Sequence, residues 1–313
     1  MAKQARLILI AMFVLMAATV IPLHWLGVDL DLESFGRAAK VVLVPLAVLG
    51  VLKTLKRAPL VQLLAEVMVC GLLFAFLSRL PTALLVRLPV PFSDSAALAL
   101  DLRLGLHVGS WVHYCQRHPH VSAASFLVYN SLSYADAIAV LLPVLFRRPR
   151  WSSELFVALS VCLLLSWGVM AFSQGIGPWQ VNGIAAHAQQ VELTAAMFRH
   201  KSAAHVLLQT STVSNFIAFP SFHVILAMLA AFTVARVRAL RELSVVWALL
   251  VAVSTITEGW HYGVDVLSGA LVASVGMLAS RSLHRRWDAR AESVAKSAGN
   301  ASTEVRPAHP TWS

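Results

Sequence analysis

Charge is what this chain has least of. Asp, Glu, Lys and Arg make up 13% of its 313 residues, about half the share of a soluble domain, while hydrophobic residues make up 58%. That shortage excludes an ordinary water-soluble fold. Cysteine is scarce too. Cys70, Cys115 and Cys162 lie far apart and no CxxC pair occurs, which excludes a disulfide framework. Cys70 and Cys162 sit inside apolar runs and read as small core residues. No internal repeat is visible.

What the chain does have is a series of runs of roughly 17–22 residues almost free of charge, each long enough to cross a bilayer as a helix. They predict eight helices, at roughly 7–28, 38–53, 60–80, 122–146, 153–173, 220–238, 243–260 and 262–283. The first could be a signal peptide, but it is long and no small-x-small cleavage site follows, so it reads as a membrane helix that stays. Two longer connections, 81–121 and 174–219, separate the helices. From His284 onward the chain is polar, small and basic, and is predicted to be disordered. The expected fold is all-α, a polytopic transmembrane helix bundle of about eight membrane helices. Three parts follow: N-terminal membrane helices with an outer loop (1–121), a membrane core (122–283) and a basic tail (284–313).

Orientation follows from Lys and Arg, which favour cytoplasmic loops. Lys3 and Arg6; Lys53, Lys56 and Arg57; Arg147, Arg148 and Arg150; Arg236, Arg238 and Arg241; and Arg281, Arg285, Arg286, Arg290, Lys296 and Arg306 share one set of helix ends. The opposite ends hold the smaller group, Arg37, Lys40, Arg79, Arg87, Arg103, Arg117, Arg199 and Lys201. Both termini are therefore expected in the cytoplasm. The net charge of +10 reports topology, and no nucleic-acid partner is expected. The membrane expected is the cell inner (plasma) membrane.

This orientation brings two polar sites together on the non-cytoplasmic face. FPSFH, Phe219–His223, opens the sixth helix, and the seventh returns to end at Trp260-His261. In the second site, His261 and Asp265 are spaced i, i+4 and share a helix face. A carboxylate there can fix the tautomer of His261 and leave its other nitrogen as nucleophile or base. His223 can protonate a leaving oxygen. Ser221 and the free N–H groups of the helix start suit an anion, and Pro220 suits a first turn. Singly, each has a plain structural reading: Ser221 as a cap, a lone histidine as an interfacial residue. Together they describe phosphoryl transfer.

PSFH and ST-x5-H-x3-D, Ser254–Asp265, resemble the second and third motifs, PSGH and SR-x5-H-x3-D, of the type 2 phosphatidic acid phosphatase superfamily. The resemblance implies a phosphohistidine mechanism, with His261 as nucleophile, Asp265 as its orienting partner and His223 as general acid. It implies that Ser221 and Ser254 contact phosphate, with Thr255 standing where the family has arginine. Phe222 in place of glycine, together with Thr255, resembles the inositol phosphorylceramide synthase branch and its bacterial relatives. The likeness covers about 170–283, and extends loosely to LGLHVGSWVHY, Leu104–Tyr114, and VYNSL, Val128–Leu132. It implies a phosphatase-like catalytic core and a lipid phosphate substrate, handled on the periplasmic or outer face.

The family's first motif, K-x6-RP, is missing. FRRPRW, Phe146–Trp151, is similar, but topology puts Arg147 and Arg150 one full crossing away from His223. FSQGIGPW, Phe172–Trp179, takes the motif's place and brings no charge. Arg199, in MFRHKS, is then the expected cation for phosphate. Glu258, close to His261, has no account at this level. HYCQRHPH, His113–His120, holds four potential ligands, but their spacing fits no zinc pattern; no metal and no cofactor are expected. The expected activity is a lipid phosphatase or phosphotransferase. The alternatives are a head-group transferase of the inositol phosphate type and a non-catalytic membrane protein on the same scaffold. A secondary transporter is disfavoured, since no inverted repeat is visible and Glu66 falls near the inner boundary.

Overall fold

A bilayer offers the backbone no hydrogen bonds, so apolar runs of this length must satisfy their own amides as helices. The computed structural model describes residues 1, 3–55, 58–181, 183–209 and 217–304. Lys56, Arg57 and Arg306 lie outside them. The helices are α1 (Lys3–Ala18), α2 (Val20–Trp25), α3 (Leu32–Leu55), α4 (Pro59–Leu77), α5 (Arg79–Val86), α6 (Asp94–Arg103) and α7 (Val108–Arg117). They continue as α8 (Pro119–Leu145), α9 (Pro149–Met170), α10 (Ala188–Ser202), α11 (Phe222–Val234), α12 (Arg241–Thr257) and α13 (Gly263–Glu304). Two three-residue strands, β1 (Val28–Leu30) and β2 (Val206–Leu208), pair in parallel. The long connections are thus themselves structured: α5, α6 and α7 fill one, and α10 and β2 the other.

Among the described residues, seven helical stretches are long and apolar enough to cross a membrane, so the chain is a multi-pass membrane protein. The sixth expected crossing differs. α11 has 13 residues, about 20 Å at 1.5 Å per residue, against roughly 30 Å of hydrocarbon. It begins only after Ser221, and beyond Val234 the chain turns into a short 3-10 segment at Arg238–Leu240. α11 is therefore about 10 Å shorter than a full crossing.

The tail also departs from expectation. α13 runs on to Glu304 instead of ending near His284. Its extension is held by polar contacts: the Ser280 hydroxyl donates to Glu154 O, the buried His284 ring meets the Ser153 hydroxyl at 2.9 Å, and Asp288 pairs with Arg150. α9 is the most enclosed crossing and packs along α13, while α11 is wrapped by α8, α9, α12 and α13. α3 is peripheral, with its main contact to α4.

Candidate active site

Ser221 is the N-cap of α11, its Oγ accepting from the Val224 amide at 3.4 Å. A serine cap satisfies one of the first orphan donors of a helix. The amides of Phe222 and His223 stay without a partner among the described residues. α13 can approach this end because residue 269 is glycine: a Cβ there would lie 2.5 Å from the Ser221 carbonyl oxygen. The Ser221 amide in turn donates to the Asp265 carbonyl at 2.9 Å. FPSFH and HYGVD are thereby stitched together by backbone.

The two imidazoles meet. His223 Nδ1 and His261 Nε2 are 3.2 Å apart. The tautomers follow by elimination. His261 Nδ1 is 2.9 Å from the Ala218 carbonyl, which can only accept, so Nδ1 carries the proton. Burial pushes this imidazole down to about 4, and the Ala218 hydrogen bond only partly offsets it, so the ring is neutral and its Nε2 is an acceptor. His223 Nδ1 must therefore donate, which leaves His223 Nε2 to accept from the Tyr129 hydroxyl at 2.8 Å. One directed chain results: Tyr129 O–H to His223, His223 N–H to His261, His261 N–H to Ala218 O. It presents the lone pair of His261 Nε2 to a neighbouring proton donor.

Asp265 is buried, and its Oδ2 lies 3.5 Å from His261 Nδ1. The orienting hydrogen bond is the one to the Ala218 carbonyl; Asp265 stands beside Nδ1 without a hydrogen bond to it. Its Oδ2 accepts from the Tyr262 amide at 2.8 Å, while Oδ1 has no hydrogen-bond partner among the described residues. Two further carboxylates, neither singled out in the sequence, hold the same turn. Asp101 accepts from the Gly263 and Val264 amides at 2.8 Å each, capping α13 from another helix. Asp94 accepts from the Ile176 and Gly177 amides, and the Tyr262 hydroxyl lies 3.4 Å from its Oδ1. Burial raises both carboxyls, and the hydrogen bonds only partly counter this.

The Gly-Pro-Trp turn builds a wall. Gly177 has φ +151°, and a Cβ on it would collide with the Trp179 ring, so only glycine fits. Trp179 meets Trp260 edge-on at 5.5 Å, and Trp260 stacks on Tyr129 at 6.3 Å. The aromatic row ends on the residue that bonds His223.

The remaining expected site residues are placed as follows. Ser254 and Thr255 are buried beside the turn, but their hydroxyls donate to Val251 O and Ala252 O of their own helix. It is the Thr255 carbonyl that contributes, accepting from the Trp260 and His261 amides. Arg199 is exposed on α10 and lines a cleft with His205 and Leu207, separate from the cavities that reach His223 or Asp265. Lys201 is committed to Leu88 O and Gln174 Oε1. Arg150 is bonded to Glu154 and Asp288, and Glu154 pairs with Arg236, which lies just past the far end of α11. Glu258 caps α12, its carbonyl accepts from Gln190, and its carboxylate has no hydrogen-bond partner among the described residues. No group of three or more His, Cys, Asp or Glu placed to hold a metal occurs among the described residues.

Besides Asp94 and Asp101, the sequence pattern does not flag Tyr129 or Ala218. Tyr129 lay in the VYNSL segment but carried no role. Ala218 acts through its backbone, which no side-chain pattern can flag.

A multi-pass helical membrane protein with two imidazoles in contact at the mouth of a short inner helix is thus the class defined by fold and site. The PAP2 superfamily model matches residues 95–279, which is more than half of the chain and includes every residue of the histidine cluster. The chain belongs to the PAP2 superfamily, whose members are generally lipid phosphatases or phosphotransferases. Comparison with curated proteins and with solved structures finds no match.

Proposed function

We propose that this chain is a lipid phosphatase or phosphotransferase that works through a phosphohistidine on His261. The observation that carries the reading is the directed chain from Tyr129 through His223 to His261 and Ala218. It gives His261 Nε2 a lone pair and places a proton on His223 Nδ1 beside it. A bound phosphate must part these nitrogens, since 3.2 Å leaves no room between them. The amides of Phe222 and His223 and the cap Ser221 receive its oxygens at the start of α11. His223 takes up a second proton at Nε2 as the phosphate anion binds beside it, the Tyr129 hydroxyl then accepting. His261 Nε2 attacks phosphorus, the bond from phosphorus to the lipid oxygen breaks, and the His223 imidazolium gives its Nδ1 proton to the departing alkoxide. Water then attacks the phosphohistidine and yields its proton to His223. The P–N bond breaks and phosphate leaves. A hydroxyl in place of water makes the same site a head-group transferase.

The arrangement supports a site that opens on the non-cytoplasmic face of the inner membrane, with both termini inside, and a catalytic core over 122–283. The missing basic motif is offset in this reading by backbone amides rather than by Arg199. Purified protein in detergent should release phosphate from a lipid phosphate such as 1-oleoyl lysophosphatidate without added metal. His261→Ala should lower that release by about a thousandfold or more while the unfolding temperature stays within a few degrees. Undiminished release would remove His261 from the mechanism. No release by the wild type from any lipid phosphate would favour a non-catalytic scaffold.

A further inference from the structure

One face of α8 has a use that phosphoryl transfer does not absorb. Tyr129, Ser133 and Asp136 are spaced i, i+4, i+7, so they line one side of the helix. With Asn130 they border a chamber of about 230 Å³ that also touches His223. This chamber shares Asp136, Phe222 and Leu226 with a second cavity of about 240 Å³ between α4, α8, α9 and α11. The second cavity is apolar, walled by Phe74, Leu155, Leu159, Leu163 and Leu229. Asp136 stands at the junction of the two. It lies well inside a 27-residue apolar helix, where a carboxylate is costly and signals a function by default. No hydrogen bond or ion pair to it occurs among the described residues.

Geometry limits what Asp136 can do. It is seven residues beyond Tyr129, about 10 Å along the helix, so it does not reach the phosphorus on His261. It faces the part of a substrate that lies between the phosphate and an apolar chain. A carboxylate accepts hydrogen bonds and cannot donate them, and an ester or ether oxygen likewise only accepts. A free hydroxyl satisfies Asp136; a blocked one leaves it unpaired. We propose that the two cavities hold a lipid phosphate by its chain and backbone, and that Asp136 is a specificity residue selecting lipids with a free backbone hydroxyl near the phosphate. The polar chamber seats the hydroxyl, and the apolar cavity seats the chain. This inference rests on the phosphoryl-transfer reading of the histidine pair.

The test compares 1-oleoyl lysophosphatidate with its 2-O-methyl ether, which has the same chain and phosphate but no hydroxyl. Wild-type protein should show a kcat/KM at least about tenfold higher for the hydroxyl lipid, the size of one hydrogen bond to a charged group. Asp136→Asn, whose amide can donate to an ether, should bring the ratio close to one, with the methyl ether turned over no more slowly than before. The same ratio should appear in the binding of both lipids to His261→Ala protein, read by tryptophan fluorescence. Equal kcat/KM for the two lipids in the wild type, or a ratio unchanged in Asp136→Asn, overturns the proposal. If Asp136→Asn does not fold, the wild-type ratio alone decides. Absence of turnover in the wild type, with the binding preference intact in His261→Ala protein, would count against the histidine mechanism and leave the Asp136 site standing.

Discussion

The two ends of α11 handle buried charge in opposite ways. Beyond its C-terminus, the buried carboxylate of Glu154 is clasped by two guanidiniums, Arg150 and Arg236. Arg236 also lies over the Phe232 and Trp151 rings, and Asp288 completes the network. Around its N-terminus, Asp94, Asp101 and Asp265 are buried as well, but their partners are backbone amides and, for Asp94, also the Tyr262 hydroxyl, and no Lys or Arg bonds them among the described residues. Arginine neutralises a carboxylate and locks it. Amides hold a carboxylate in place and leave its charge, so the imidazoles nearby feel no competing cation. The first end is built to anchor, the second to keep two neutral rings in a defined tautomer.

The anchoring end should show the largest effect on stability. Glu154→Ala leaves Arg236 mostly buried with no carboxylate partner, and breaking one half of a buried pair costs about 3–5 kcal/mol. The unfolding temperature in detergent should fall sharply, while the activity of the protein still folded changes little. A shift of less than a degree would mean that this network does not carry the fold at that end.

A subtler contrast lies at the histidine end. Tyr129→Phe removes the hydroxyl that His223 Nε2 accepts from, a bond of about 1 kcal/mol. The ring's stack on Trp260 is kept, so stability should barely move. Turnover should drop several-fold in kcat with KM unchanged, because the lost bond orients a proton donor rather than binding lipid. A rise in KM with kcat intact would reassign Tyr129 to substrate binding.

How much of this was legible in the sequence depends on which atoms do the work. The crossings were readable because an apolar run in lipid has only the helix open to it; only the short α11 was overdrawn, since hydropathy cannot see where a cap and a turn cut a run. His223, His261 and Asp265 were readable as a motif, and they do converge. The tail was misread because Ser153, Glu154 and Arg150 lie in a distant helix, and nothing local to His284 announces them. Arg199 was nominated by charge and loop position alone, and its helix instead buries Gln190, Leu193, Met197 and His200, leaving Arg199 outside. Ala218, which orients His261 through a carbonyl, has no side-chain signature at all.

The smallest expected effect tests the amide-held carboxylates directly. Burial lifts the carboxyl of Asp101 above its ordinary value, and the bonds from Gly263 and Val264 bring it only part of the way back. The folded chain therefore holds that proton more tightly than the unfolded chain does. The group's contribution is full below the ordinary carboxylate range, and it is lost as pH rises through the raised value. As pH rises from the ordinary carboxylate range, the wild type should lose a little stability that Asp101→Asn, which cannot titrate, does not lose. Unfolding temperatures of the two proteins along that rise give the difference slope. The variant will start lower at every pH, since its amide offers one acceptor oxygen where the carboxylate offered two for two backbone donors. The slope separates the two contributions: a constant offset would show that Asp101 only caps α13, whereas a gap that narrows as pH rises would show that amides alone leave a buried carboxylate short of full compensation.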